Sequence, residues 1–404
     1  MARSGGAANV LIAGGGVAAL EAALALRALG EERVRVELLA PEPHFWYRPL
    51  AVAEPFRLGS VRRFELPELA AAAGATFSHG TLVSVDAHRR LAHTSAGGAI
   101  PYDMLLIACG AVPKPMVHGA LTFRGPADTE KIEHLLAEIQ AGTVWRIAFA
   151  VPAGPVWSLP AYELTLMTAG WLAARGIQGV ELALVTPEEA PLQIFGRQAS
   201  DAVRELLDEQ GIVVHRGAPV EVRDGELLLV RGPPVRTDRV VALPRLWGQQ
   251  IGGLTQTPGG FIPVDLHGRV KGVIDIYAAG DITNFAVKHG GIAAQQAVAA
   301  AEAIAAAAGA DLTPRPFRPV LRGLLLTGAE PRFLRGELNG AGETSGASPD
   351  PLWWPPAKIV GHYLAPFLGA LAGVDVSRDM PSGPGPGAVL VDVELDPGDP
   401  GIGF

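Results

Sequence analysis

The chain has 404 residues, 49% of them hydrophobic and 18% charged, with a formal net charge of −8. At about 150 residues per domain this favours two or more globular domains with a sizeable core, and an acidic balance without a long basic run argues against nucleic acid as a partner. A single cysteine, Cys109, excludes an intrachain disulfide framework, a thiol pair or a cysteine-based metal site. His79, His118, His134 and His215 lack ligand spacing, so no metal is expected. The reducing cytoplasm suits this composition.

The first 26 residues are apolar but are broken by glycines and run on through Glu21, which reads as the start of a fold rather than a signal peptide. No uninterrupted apolar run reaches the ~20 residues of a spanning helix. "NVLIAGGGVAALEAALALRALG" (9–30) predicts a buried strand over 10–13, a glycine turn, and a helix stopped at Gly30. Gly14, Gly16 and Ala19 form a G-x-G-x-x-A fingerprint, with Gly15 and Ala18 inside it. Gly14 permits the tight turn, Gly16 lets a pyrophosphate near the backbone, and Ala19 allows close helix–strand packing. The helix N-terminus then offers unpaired N–H groups to the phosphates. A second strand is expected over 34–39. An acid should follow about 20 residues on to hold ribose hydroxyls. That position is Ala40, with Glu42 just beyond and Glu37 in mid-strand; Glu42 is the candidate, and a solvated loop role is its alternative.

Downstream, "YDMLLIACGAVPKP" (102–115) predicts an apolar strand ending in Ala108, Cys109 and Gly110. A second unit follows over 116–244, with strands expected at 145–151 and 180–185 and helices at 159–175 and 199–210. The junction "AVPAGPVWSLPAYEL" (150–164) should carry a nicotinamide fingerprint. It carries only Gly154, while its prolines remove N–H donors and Trp157 fills phosphate space. Glu188 or Glu189 could meet a ribose, but neither restores the phosphate site. Glu163 lies in the first turns of the following helix, where an acid is also ordinary helix chemistry.

"VIDIYAAGDITNFAVKHGGIAAQQAVAAAEAIAA" (273–306) reads as a strand, Gly280-Asp281, a loop with Lys288, and a long helix opening near Gly291. A helix rather than a returning strand follows Gly-Asp, so a hairpin is disfavoured. Gly280 lets the backbone approach a ligand and Asp281 accepts a hydrogen bond from it, as from the ribityl chain of a flavin. FAD is long enough to need both this segment and the first fingerprint. "NGAGETSGASPDP" (339–351) reads as a flexible loop, 358–374 as a core or interfacial helix, and 381–404 as a Gly/Pro-rich tail containing the strand-like "AVLVDVEL".

"AGGGVAALEAAL", "YDMLLIACGAVP" and "DIYAAGDITNFAVKHGGIAAQQA" together resemble the three FAD-binding segments of the two-dinucleotide-domain flavoproteins, which include disulfide reductases, type II NADH dehydrogenases and sulfide:quinone oxidoreductases. "HFWYRPLAV" (44–52), 240–254, 260–270 and "LWWPPAKIVGHYLAPFL" (352–368) resemble the sulfide:quinone branch in particular. The resemblance implies an α/β fold with two Rossmann-like domains. The FAD domain spans 1–115 and 245–315 and is interrupted by the NAD(P)-like domain at 116–244; a C-terminal region at 316–380 follows. It implies FAD contacts from Val83, Arg48, Pro49, Ala108, Cys109, Gly110, Lys288 and Gly291. It also implies Lys288, Glu163 and Tyr47 near the flavin ring, and Trp353, Trp354, Lys358 and Tyr363 near a quinone. The pair His289 and His362 could neighbour the flavin. The redox cysteines of the branch are missing, so sulfide oxidation by its mechanism is not implied.

The expected function is an FAD-dependent oxidoreductase passing electrons to a quinone-type acceptor. Peripheral membrane contact and homo-oligomerisation are left open. A type II-like NAD(P)H dehydrogenase with a degenerate loop, or a flavin-bearing scaffold or sensor with little turnover, are the alternatives.

Overall fold

The computed structural model describes residues 6–337, 345–353 and 357–371. The chain opens with β1 (Ala8–Ala13), α1 (Val17–Gly30), β2 (Val34–Ala40), β3 (Ala75–His79) and β4 (Met104–Ile107). A ribbon strand β5 (Ala111–Lys114) leads into the second unit: β6 (Leu121–Thr122), β7 (Arg146–Ala150), α2 (Leu159–Ala174), β8 (Glu181–Thr186), β9 (Val213–Arg216) and β10 (Arg239–Ala242). The chain returns through β11 (Arg245–Gly248) to β12 (Ile276–Ala278) and α3 (Gly290–Ala307). Among the described residues there follow an antiparallel sheet, β13 (Val320–Leu325), β14 (Arg332–Glu337) and β15 (Ser345–Ser348), and a short helix α4 (Leu364–Leu371).

Two five-stranded sheets dominate. The first runs β12-β4-β1-β2-β3 and the second β6-β10-β7-β8-β9, every neighbouring pair parallel. Parallel strands covered on both faces read as continuous apolar runs, and β4 is buried at all four positions. In the first sheet β1 lies between β4 and β2, so the chain leaves it in opposite directions; the crevice beyond its carboxyl end is the usual ligand position in such sheets. The ribbon β5–β11 is antiparallel and joins the two units. Alanines on α1 (Ala18, Ala22, Ala25) and α3 (Ala293, Ala297, Ala300) are buried in one core, which lets the helices pack closely.

Two expectations need correction. The Ser/Gly-rich stretch 339–351 is not loop throughout, because β15 pairs with β14 from Phe333↔Ser348 to Gly336↔Ser345. Small side chains are what the position demands: a Cβ on Gly196 would stand 2.6 Å from the Cβ of Ser345, and Ser345 Oγ accepts a hydrogen bond from the Ala199 N–H at 2.7 Å. The helix expected over 358–374 is confined, among described residues, to α4. Residues 358–363 are drawn out of helix by contacts to other elements, and Trp354 and the strand-like tail segment lie outside the described residues.

Glu21, inside α1, is fully buried and anchors α4. Its two carboxylate oxygens accept the N–H groups of Tyr363 (2.9 Å) and Leu364 (2.8 Å), which satisfy the opening of α4. Burial raises its pKa against the lowering effect of those bonds. Glu21→Ala should therefore cost about 1–3 kcal/mol for each donor left unsatisfied. Differential scanning calorimetry should show a lower unfolding temperature, and limited proteolysis should cut first at the C-terminal segment. An unchanged profile would show that α4 is held by apolar packing alone.

Candidate active site

The three expected cofactor segments converge at the carboxyl ends of β1, β4 and β12. Gly14 has φ +146°, and a Cβ there would lie 2.2 Å from the Ala108 carbonyl oxygen, so the first and second segments touch through backbone. The Gly14 N–H donates to Leu39 O (2.8 Å). A Cβ on Gly280 would come within 3.1 Å of Ala18 Cβ and 3.4 Å of Ala293 Cβ, which joins the third segment to the helix of the first. Gly15 is hemmed in by Leu66 and Ala40, whereas a Cβ on Gly16 or Gly110 would meet nothing within 4 Å. Ala19 is buried. Gly16 caps α1 in an extended conformation with no side-chain cap bond, so the first N–H groups of α1 are left for a ligand. Beside Gly280, the Asp281 carboxylate accepts no hydrogen bond from the described residues, and burial raises its pKa while Lys288 opposes the rise. These open glycines and unused polar groups fit a dinucleotide such as FAD. The ribose acid is less defined: Glu42 is exposed beyond β2, and Glu37 is occupied by Ser78 Oγ at 2.5 Å. Val83 is exposed, its carbonyl taken by the Gly252 N–H. Cys109 is packed against the first unit's core, and burial pushes its thiol up to about 12, which disfavours the thiolate.

A second cluster forms at the N-terminus of α3. Lys288 is 4% exposed; its ammonium donates to Thr283 O (2.6 Å), lies 4.0 Å from the Phe261 ring centroid, and burial pulls it down to about 8. His289, the residue before α3, packs its ring 4.5 Å from that of Trp157, and burial holds it neutral, down to about 3. A Cβ on Gly290 would meet Ile359 at 3.0 Å, so the segment 358–360 lies across the helix opening; Gly291 follows in its first turn. There Lys358 Nζ donates to both oxygens of Glu163 (2.6 and 2.8 Å) and to Pro49 O (3.1 Å). Glu163 also accepts the Leu326 N–H (2.9 Å), and Tyr47 Oη accepts the Ile359 N–H (3.1 Å). Glu163 is 1% exposed and Lys358 8%. Burial raises the Glu163 carboxyl, against the lowering pull of Lys358. Thus Tyr47, Pro49, Glu163 and Lys358 are brought together by contact, while Arg48 is exposed. Trp353 is packing: its Nε1 bonds Ala357 O and its ring meets Phe333 edge-on. His362 is exposed against Tyr363 and lines a cavity of about 530 Å³ with Glu302 and Arg315.

The junction before α2 is filled. Trp157 sits edge-on to Phe195 at 5.9 Å. At the end of β8, where a nicotinamide ribose would need an acid, Glu188 is already held by Ser158 Oγ (3.0 Å), Tyr162 Oη (2.5 Å) and Thr186 Oγ1 (3.0 Å). Tyr162 is thereby turned to Glu188, and only Glu163 of the two neighbours faces the α3 cluster. The Glu163–Lys358 pairing was not legible in the sequence, because 195 residues separate its members; an apolar helix start carrying a lone acid was the one available signal.

Residues 8–303 match the family described as pyridine nucleotide-disulphide oxidoreductase. An NADH dehydrogenase-like protein of Mycobacterium tuberculosis is 28% identical over 242 residues, covering 55% of this chain and 59% of the relative, so the match spans about three fifths of that relative's length. The fold is similar to that of the sulfide:quinone oxidoreductase of the hyperthermophilic bacterium Aquifex aeolicus (TM-score 0.77, 19% identity, 85% of this chain and 87% of that one). It is also similar to a ferredoxin reductase of Rhodopseudomonas palustris (TM-score 0.62, 21% identity, 82% and 85%). NDH2 of Plasmodium falciparum, solved with NADH, is more distant (TM-score 0.55, 17% identity, 68% and 64%). The chain belongs to the pyridine nucleotide-disulphide oxidoreductase family.

Removing one member of a buried pair strands the other charge, at a cost of about 3–5 kcal/mol. Lys358→Met should lower unfolding stability by that order, and the double variant Glu163→Leu/Lys358→Met should recover most of the loss. Denaturant unfolding of the FAD-loaded protein checks this; a double variant no more stable than the single one would show that the pair is not a coupled unit.

Proposed function

We propose that this flavoprotein passes electrons from a donor other than NAD(P)H to a quinone-type acceptor received at the opening of α3. The observation that carries the reading is the buried Glu163–Lys358 pair seated beside Tyr47 and Pro49. A quinone is apolar and needs protons as well as electrons. The pair offers a carboxyl with a raised pKa beside a buried ammonium, a chemistry able to hold and hand on a proton. FAD, when bound, supplies two-electron acceptance and release. Gly14, Gly16 and the start of α1 would hold its pyrophosphate and Asp281 its ribityl chain. Lys288 would place positive charge near the reduced ring; it is charged below about pH 8, and that support fades as pH rises through this value.

The donor side rests on Glu188, Trp157 and the prolines of the junction, which leave the second unit poorly suited to NAD(P)H. An NAD(P)H dehydrogenase remains the second reading, favoured by the parallel second sheet. No helix among the described residues is long and apolar enough to cross a membrane, so a membrane-borne quinone would be reached by peripheral contact.

Anaerobic mixing tests both halves. NADH and NADPH should fail to bleach the flavin on a turnover timescale, and protein reduced with dithionite should be reoxidised by menadione. Rapid bleaching by NADH would establish the second reading; a reduced flavin indifferent to menadione would remove the quinone.

A further inference from the structure

The ribbon β5–β11 carries a charge arrangement that nothing packed against it explains. Lys114 and Arg245 are direct partners across the ribbon, so their side chains share one face, and like charges placed opposite each other are destabilising. Trp247, two residues along β11, lies on the same face. The Lys114 ammonium and the Arg245 guanidinium carbon are each 5.0 Å from its ring centroid. Among the described residues neither cation has a hydrogen bond or a carboxylate partner. Arg245 Nε and Trp247 Nε1 are both buried and unpartnered, although buried N–H groups nearly always find an acceptor.

One wall of this face is the junction loop itself. Gly154 has φ +97°, and a Cβ there would stand 2.7 Å from Arg245 Nε, so only glycine leaves the guanidinium its place. The Leu246 N–H donates to Pro155 O (2.8 Å) and clamps the loop to the ribbon. Lys114 is exposed, which opens the face to solvent, and β5 begins directly after Gly110 of the cofactor cradle.

We propose that this face binds a small anionic substrate through its carboxylate or phosphate group. Lys114, Arg245 and the Trp247 indole N–H lie together with no acceptor among them, and a carboxylate or phosphate supplies what is missing. An arginine guanidinium pairs with carboxylate and phosphate oxygens through charge-assisted hydrogen bonds. The indole N–H adds a donor, and Lys114 closes the site from the solvent side. An anion there would also relieve the repulsion between the two cations. The space that a dinucleotide's pyrophosphate would use is thus rebuilt for something smaller, with Glu188 and Trp157 shutting out the rest of a nucleotide. The site does not depend on the acceptor's being a quinone.

The test is a titration of the full-length, FAD-loaded protein with inorganic phosphate, acetate and ADP-ribose, read by tryptophan fluorescence and by calorimetry. Phosphate or acetate should bind saturably, and Arg245→Gln should weaken that binding about ten- to hundredfold, the usual effect of losing a hydrogen bond to a charged group. Lys114→Gln, at an exposed position, should weaken it too and serves if Arg245→Gln does not fold. No saturable binding by either small anion, or equal affinity in the variants, would overturn the proposal. ADP-ribose binding far more tightly than phosphate would overturn it as well, by assigning the face to a dinucleotide. None of these readouts uses electron transfer to a quinone, so failure here is separable from failure of the acceptor reading.

Discussion

A single buried ion pair, Lys358 with Glu163, ties three separate segments of the chain together. Glu163 belongs to α2 of the second unit, Lys358 to the C-terminal region, and Pro49, which accepts the third bond of that ammonium, to the short turn Arg48–Leu50 of the first unit. All three are tied at the start of the long alanine-rich helix. Such a pair gains little net stability over an apolar alternative, but its loss leaves a stranded charge.

The second constraint is backbone contact at the cofactor cradle. Gly14 lies against the Ala108 carbonyl and Gly280 against Ala18 and Ala293. Here the smallest side chains decide the shape, and the cradle keeps open space at Gly16 and Gly110. The second unit repeats the strand–helix–strand layout but not the cradle. Its glycine is occupied by Arg245, its acid by Tyr162, Ser158 and Thr186, and its turn by Trp157 and prolines. Two units of like topology have thus been filled differently, one left open for a dinucleotide and one rebuilt with side chains.

Much of this was legible in the sequence, for identifiable reasons. Fold class and the cradle follow from local pattern: an apolar run, a glycine fingerprint and a helix within 9–30 need no distant partner to be recognised. The filling of the junction was legible as well, since prolines and a tryptophan at a phosphate turn carry their own steric message. What failed was composition read as conformation. Ser345–Ser348 has the look of a loop, yet its small residues are what allow a strand to lie against Gly196. What could not be read at all was long-range pairing. Glu21 with the start of α4, Lys358 with Glu163, and Lys114 opposite Arg245 join residues far apart in the chain, and no periodicity announces them.

The central claim is that Glu163, held by Lys358, serves acceptor reduction rather than merely joining segments. Its most direct test is stopped-flow reoxidation by menadione of pre-reduced, FAD-loaded protein, comparing the wild type with Glu163→Gln under conditions where both retain flavin and fold. The account predicts that the variant reoxidises about 10²–10⁴-fold more slowly, the usual worth of a proton-transfer group, and loses the pH dependence of the wild type. Equal rates with equal pH profiles would contradict it and leave the pair a structural clasp.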